Sequence, residues 1–375
     1  MSSEFKEPYV IRGLPNLGAT CYLNSILQIL CNISSLRPLI RLTFQSSNPD
    51  QVANDVCTAY ETWLRGHIKQ ETSDMENAHN LRNFIIRFIQ YYNNFGSGMQ
   101  DQHEYLTLLL KLLHDSRSRP CHFTITGQKK GELDDLEEKA LTSLRKDGMW
   151  TSFDNLSGGS DLKGWNSVIF QTFTGQSHFR TICSNPECEY VSHRFETFRI
   201  MEVDIPGSGS SVNLEDCFEN TFNTSQLDGE NLYECDKCKL RGKSTRKMSL
   251  WRLPEVIIIC LKRFTANYVD GAVYLGKNNA SVNIPLELDL NRWVELFCNT
   301  QYELQSIAHH VGNQMGGHCY SSIKTPNNEW IVVDDSNLMK ESPVTDGTKL
   351  YFNGSSPYLL FYKRGDLRSP NPLTP

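Results

Sequence analysis

Apolar positions recur at helical spacing through the first third of the chain. Leu23, Ile26, Leu27 and Leu30 predict an amphipathic helix in which Cys21 lies in or just before the first turn. Val56, Ala59, Tyr60 and Trp63 predict a second helix over 52–68, and Leu81, Phe84, Ile85, Phe88 and Ile89 a third over 81–92. Leu106, Leu109, Leu110 and Leu113 read as a buried helix over 105–113, so helical character is expected from Gly13 to about Cys121. A short charged helix over 132–146 and a Gly158-Gly159-Ser160 loop mark the expected insertion.

After Trp165 the pattern turns to β-formers, in alternation or in short apolar runs. Strands are expected within 168–170, 177–182, 195–205, 247–253, 256–264, 302–309, 318–323, 330–333 and 358–362. The last ten residues, with Pro370, Pro372 and Pro375, read as a frayed tail. A helical first part followed by antiparallel strands gives the α+β class.

Composition narrows the picture. At 375 residues the chain can bury a large core, and 39% hydrophobic with 21% charged residues describes a globular protein. A formal charge of −6, without a long basic run, argues against nucleic-acid binding. Residues 1–12 lack the apolar segment of a secretory signal, and the longest apolar run, Val256 to Leu261, is too short to span a bilayer. Twelve cysteines in that setting imply a reducing compartment, with cytoplasm and/or nucleus expected.

Candidate chemistry comes next. A cysteine at a helix start meets partial positive charge and unpaired N–H groups, which favour the thiolate; the bland alternative is a small core residue. A cysteine nucleophile also needs a base and a group that orients it. His318 follows Gly316-Gly317 and opens a strand, while Asp334-Asp335 closes the apolar run from Trp330. Adjacent strands would bring His318 and Asp334 together; alone, each reads as a strand-edge histidine and a solvated turn. Cys235 and Cys238 have zinc-knuckle spacing, and Cys183 with Cys188 supplies a second pair some fifty residues away. Four thiolates brought together by hairpins make a closed tetrahedral zinc site, with chance thiols or a redox pair as the alternatives.

The stretch Gly13 to Gln28, with Gly18-Ala19-Thr20-Cys21-Tyr22-Leu23-Asn24, resembles the cysteine box of the ubiquitin-specific proteases, papain-like cysteine peptidases that remove ubiquitin. Tyr302 to Asp335 resembles the histidine box of that family, Gly98 to Leu106 its glutamine-aspartate box, and Leu253 to Phe264 a core strand motif. The resemblance implies Cys21 as nucleophile, His318 as general base, Asp334 as its orienter with Asp335 assisting, and Asn16 as an oxyanion donor. It implies that Asp101 holds the basic tail of ubiquitin, although Asp101 with Glu104 also reads as a helix cap. It supports a structural, non-catalytic zinc on Cys183, Cys188, Cys235 and Cys238. Ala19, Met99 and Cys319 depart from the asparagine, glutamine and tyrosine expected at those positions.

The implied architecture is a helical thumb, β-rich zinc fingers and a palm. Residues 1–12 would be an extension and 13–365 one catalytic domain: 13–165 thumb with the charged insertion, 166–255 fingers and 256–365 palm, followed by a flexible tail over 366–375. The implied activity is hydrolysis of the (iso)peptide bond after the C-terminal glycine of ubiquitin, with ubiquitin conjugates as partners. The same chemistry on a ubiquitin-like modifier, a weakly active ubiquitin-binding scaffold and an ordinary papain-like peptidase are the rivals.

Overall fold

Val256–Leu261 is an unbroken apolar strand because both of its faces are buried. Val256, Ile258 and Cys260 join one hydrophobic core, and Ile257, Ile259 and Leu261 join another. Its neighbour Ser356–Arg364 divides in the same way, Leu359 and Phe361 to one side and Leu360 and Tyr362 to the other. Alternation with period two thus splits one sheet between two cores. The structure, a computed structural model, describes residues 11–37, 39, 50–93, 95, 98–124, 132–146, 161–207, 211–269, 272–296, 298–313, 316–341, 344–345, 348–351 and 356–365. The Gly158-Gly159-Ser160 loop, the 366–375 tail and residues 1–10 of the extension lie outside them.

The central sheet runs in the order Asn337–Glu341, Trp330–Asp334, Gly316–Lys324, Gln301–Asn313, Ser356–Arg364, Val256–Leu261 and Ile200–Val203, with Glu287–Asp289 also on Gln301–Asn313. The pairing is antiparallel except at Ile200–Val203, which lies parallel to Val256–Leu261. On one face pack the helices Cys21–Cys31, Gln51–Lys69, Asp74–Tyr91 and Gln102–Arg117, which share the first core with the sheet. The helix Leu214–Phe222 packs on the other face. A separate sheet orders Val191–Phe198, Gly175–Cys183, Ser244–Arg252 and Ser225–Leu227. The Glu132–Lys146 helix, where the charged pattern places it, lies against this sheet: Trp251 Nε1 donates to Glu137 at 3.0 Å, and Gln176 Nε2 to Ala140 O at 2.7 Å.

Five expectations change. The helix at Cys21 turns no face to water, since all eleven of its residues are buried; its polar Asn24, Ser25 and Gln28 bond to other parts of the protein. Residues 168–170 are not a strand but the start of the Val168–Phe173 helix. Ser167 accepts from Phe170 N at 3.0 Å, and that cap together with buried Ile169, Thr172 and Phe173 outweighs β-propensity. Helical character stops at Arg117, because 119–124 pairs with 161–166 as a two-stranded ribbon. Finally, 195–205 breaks into parts of two strands that belong to different sheets, and the run from Val256 ends at Leu261, with Phe264 opening a new hairpin.

Candidate active site

The helix that starts at Cys21 packs directly on the Gly316–Lys324 strand, which brings Cys21 to His318. His318 Nε2 lies 2.5 Å from Asp334 Oδ1, leaving Nδ1 as the nitrogen for Cys21. The strands Gly316–Lys324 and Trp330–Asp334 pair antiparallel, Ser321 opposite Val333, so the two residues come from neighbouring strands. The glycine directly before His318 has a steric reason. A Cβ on Gly317 would sit 2.1 Å from Val311 O and 2.9 Å from His310 Nε2, so only glycine fits where the strands turn. Lys277, from the preceding 264–277 hairpin, fastens the end of the Gln301–Asn313 strand by donating to His310 O at 2.9 Å and Gly312 O at 3.1 Å.

Electrostatics favour an ion pair. The Cys319 thiol, donating to the Cys21 sulfur, is the largest influence on Cys21; burial opposes it, while the Cys319 N–H and the charge and hydrogen bond of His318 reinforce it. The Cys21 thiol is thereby lowered from about 9 to about 6. His318 moves upward. Burial alone would lower it, but the Asp334 hydrogen bond and charge, with Cys21 behind them, outweigh burial. Thiolate beside imidazolium is the form that these shifts support.

Asn16 and Asp335 build the loop ahead of the nucleophile. Asn16 Oδ1 accepts from Gly18 N at 3.0 Å and Thr20 N at 3.2 Å, while its Nδ2 donates to Asp335 Oδ2 at 2.9 Å. Asp335 Oδ1 accepts from Asn24 Nδ2 at 2.7 Å, and its backbone O accepts from Leu14 N at 2.9 Å. Asp335 therefore does not touch the imidazole; it ties the Cys21 loop and helix to the turn that carries Asp334. Ala19 has φ +52, in the left-handed region that asparagine tolerates better than alanine, so the departure at 19 is conformational. His318, Asp334 and Asp335 lie close enough to face one cation, but Asp334 faces the imidazole and Asp335 two amides, so the group reads as proton and loop machinery.

Asp101 is the helix cap that the sequence allows, and it also borders a cleft. It caps the Gln102–Arg117 helix, accepting from His103 N at 2.7 Å and Glu104 N at 3.1 Å, and it takes the Tyr358 hydroxyl at 3.0 Å. It opens onto a cleft of about 270 Å³ with Met99, Phe264, His310, Gly316 and Tyr358 on its walls. Sequence reasoning missed Asn24, Lys277 and Tyr358. Asn24 left a signal, a polar residue three positions after Cys21 in an otherwise apolar helix; the other two left none, because their partners are distant in sequence.

The four cysteines converge away from this cleft. Cys183 and Cys188 flank the turn between Gly175–Cys183 and Val191–Phe198, and Cys235 and Cys238 the turn between 233–234 and 241–242. Sulfur separations are 3.9 Å for Cys183–Cys238 and 3.8 Å for Cys188–Cys235, with all four within 4.8 Å of one another. Backbone N–H groups of Asn185, Tyr190, Lys237 and Cys238 face these sulfurs, as thiolate ligands require. Glu189 and Lys239, each just after the second cysteine of its pair, have φ +45 and +60, which curl both turns around one centre. The donor set fits a metal ion.

Comparison with known proteins agrees with this geometry. The chain is 28% identical over 371 residues to ubiquitin carboxyl-terminal hydrolase 2 of Bos taurus, covering 96% of this chain and 55% of the relative. Against the Gallus gallus protein of that name it is 28% identical over 392 residues, covering 96% and 94%. Against human ubiquitin carboxyl-terminal hydrolase 21 it is 28% identical over 372 residues, covering 94% and 61%. The chain thus spans little more than half the length of several relatives. The fold matches that of the SAGA Ubp8/Sgf11/Sus1/Sgf73 DUB module bound to ubiquitin aldehyde, at TM-score 0.69 and 18% identity over 97% of this chain and 72% of the other. Among the described residues no helix is long and apolar enough to cross a membrane. The family profile described as ubiquitin carboxyl-terminal hydrolase matches residues 12–362, from ahead of the Asn16 loop to beyond Tyr358, and the chain belongs to that family.

Proposed function

We propose that this chain is a cysteine-type deubiquitinase that hydrolyses the (iso)peptide bond after the C-terminal glycine of ubiquitin. The observation that carries this reading is the meeting of Cys21, His318 and Asp334 across the helix–sheet boundary, with an Asn16 loop in front. The Cys21 thiolate attacks the glycine carbonyl. The developing oxyanion is met by backbone N–H groups at the helix start and by the Asn16 amide, whose orientation Asp335, Gly18 and Thr20 fix. The His318 imidazolium gives its proton to the leaving amine, Asp334 holding the ring; His318 then takes a proton from the water that opens the thioester.

In this reading Asp101, beside the 270 Å³ cleft, receives the arginine-bearing tail of ubiquitin while it keeps its helix cap. The thumb, fingers and palm are assigned to 13–165, 166–255 and 256–365. Zinc is the metal for Cys183, Cys188, Cys235 and Cys238. Four cysteine ligands leave no open position, so it supplies structure to the tip of the fingers and no chemistry. A reducing setting, cytoplasm and/or nucleus, suits so many thiols.

The test is labelling of the purified, zinc-loaded chain with ubiquitin that carries a C-terminal thiol-reactive electrophile, beside matched ubiquitin-like probes. A ubiquitin adduct that disappears in Cys21→Ala is expected. An adduct with a ubiquitin-like probe alone would reassign the modifier, and no adduct with any probe would remove the enzymatic reading.

A further inference from the structure

The residue after the base is a second cysteine, and it is packed against the first. Cys319 is 1% exposed and Cys21 5%; both belong to the core shared by the helices and the central sheet. The Cys319 thiol and backbone N–H both face the Cys21 sulfur. The two residues lie on directly packed elements, the Cys21–Cys31 helix and the Gly316–Lys324 strand. Across the sheet Cys319 pairs with His310, and the close pairing of Gly312 with Gly317 fixes its register.

We propose that Cys319 is a resolving thiol: under peroxide it closes a disulfide with Cys21, switching the site off reversibly and shielding the nucleophile from irreversible oxidation. The inference rests on Cys21 being the reactive thiol of the proposed function.

The steps balance with a hydroperoxide as the oxidant. The Cys21 thiolate attacks one peroxide oxygen; an S–O bond forms, the O–O bond breaks, and the departing hydroxide takes the His318 proton and leaves as water. The product is a sulfenic acid on Cys21. The Cys319 sulfur then attacks the Cys21 sulfur; the S–S bond forms, the S–O bond breaks, and the Cys319 proton leaves with that hydroxyl as a second water. Two thiols have given two electrons to one peroxide. A dithiol reductant reverses the bond by exchange.

The pair is asymmetric in the way that such a sequence needs. The Cys21 anion and burial hold the Cys319 thiol far above its ordinary range, so at rest one sulfur is thiolate and the other stays protonated. Oxidation of Cys21 removes that anion and with it the largest restraint on Cys319. The four sulfurs at the tip also lie together, but their donor set fits a metal ion. Cys31, Cys57 and Cys260 are buried thiols pushed up by burial, and the charges that act on them come from residues other than cysteine.

The test uses the zinc-loaded chain, treated with hydrogen peroxide, alkylated and digested. A peptide linking Cys21 to Cys319 is expected, together with loss of hydrolysis of a fluorogenic ubiquitin substrate that dithiothreitol restores. In Cys319→Ser, each activity referred to its own untreated value, peroxide should cause loss that dithiothreitol no longer restores, with sulfinic or sulfonic acid at Cys21. Oxidised Cys21 without the linked peptide, or full recovery in Cys319→Ser, would overturn the proposal. So would activity loss that tracks metal release. If Cys319→Ser does not fold, the linked peptide in the unsubstituted chain decides. Because the peptide is read by mass, it appears or fails to appear whether or not ubiquitin proves to be the substrate.

Discussion

The cleft and the four-cysteine tip both gather thiols from distant parts of the chain, by opposite means. At the tip two short turns bring in two cysteines each, backbone N–H groups face the sulfurs, and almost no hydrophobic core surrounds them. In the cleft one thiol is placed by a fully buried helix, its base by a strand packed on that helix, and the loop between them by a carboxylate that bridges both. In the proposed reading the tip depends on a metal for its shape, whereas the cleft depends on the core. Cysteine would then serve as a ligand in one place and as a nucleophile in the other, and the surroundings decide which.

The sharpest way to break this comparison is to remove the metal. Chelation, or Cys235→Ser, forfeits a binding energy on the order of 10 kcal/mol, the scale of structural zinc in small domains. Hydrogen-exchange protection around residues 183–190 and 233–242 should collapse, while alkylation of Cys21 by a small haloacetamide keeps its rate. A parallel fall in that rate would mean that the two regions are one cooperative unit.

The adjacent aspartates divide the cleft itself. Asp334→Asn leaves the imidazole without its carboxylate and should lower kcat by about 10²- to 10⁴-fold with the melting temperature unchanged. Asp335→Ala takes the carboxylate from the buried Asn24 amide and from the exposed Asn16 amide, and should cost about 1–3 kcal/mol of stability as well as activity. Equal melting temperatures for the two variants would erase the distinction between orienting the base and holding the loop.

Acidity sharpens the contrast further. With Cys21 near pH 6 and His318 raised, the thiolate–imidazolium pair exists above about pH 6 and persists past the ordinary histidine value. Activity should fall about tenfold per unit below pH 6 as the thiolate is protonated, and again at high pH as His318 loses its proton. A profile flat from pH 5 to pH 7 would contradict the lowered thiol. The smallest effect belongs to Ala19: Ala19→Asn relieves a left-handed backbone and should add about 0.5–1 kcal/mol in denaturant melts, with no change in kcat.

Local rules carried far in the sequence. Helical spacing found the four helices on one face of the central sheet but not the Leu214–Phe222 helix on the other, apolar runs found core strands, and cysteine spacing found the metal candidate. Val168–Phe173 escaped because a six-residue segment with five β-formers can be turned by one cap and a buried face. The ribbon of 119–124 with 161–166 escaped because neither half carries a strand pattern. Cys21, His318 and Asp334 were legible as chemistry-bearing residues in an order, but the division of labour between Asp334 and Asp335 was not. Adjacent carboxylates look alike in sequence, and only the asparagines that reach Asp335 from the other side of the cleft tell them apart. Lys277 and Tyr358 are ordinary residues until the fold sets a carbonyl or a carboxylate before them.

The placement of those two aspartates sets a tolerance. They are consecutive on one turn, so a single peptide unit, about 3.8 Å of chain, separates the group that aims the proton carrier from the group that anchors the nucleophile's loop. Insertion of one residue between Trp330 and Asp334 would carry Asp334 to the asparagines and leave the imidazole without a carboxylate, whereas deletion would carry Asp335 to the imidazole and leave the asparagines without one. The site is indexed like a key with two neighbouring teeth, and the hairpin that bears them is the part of the chain least able to change length.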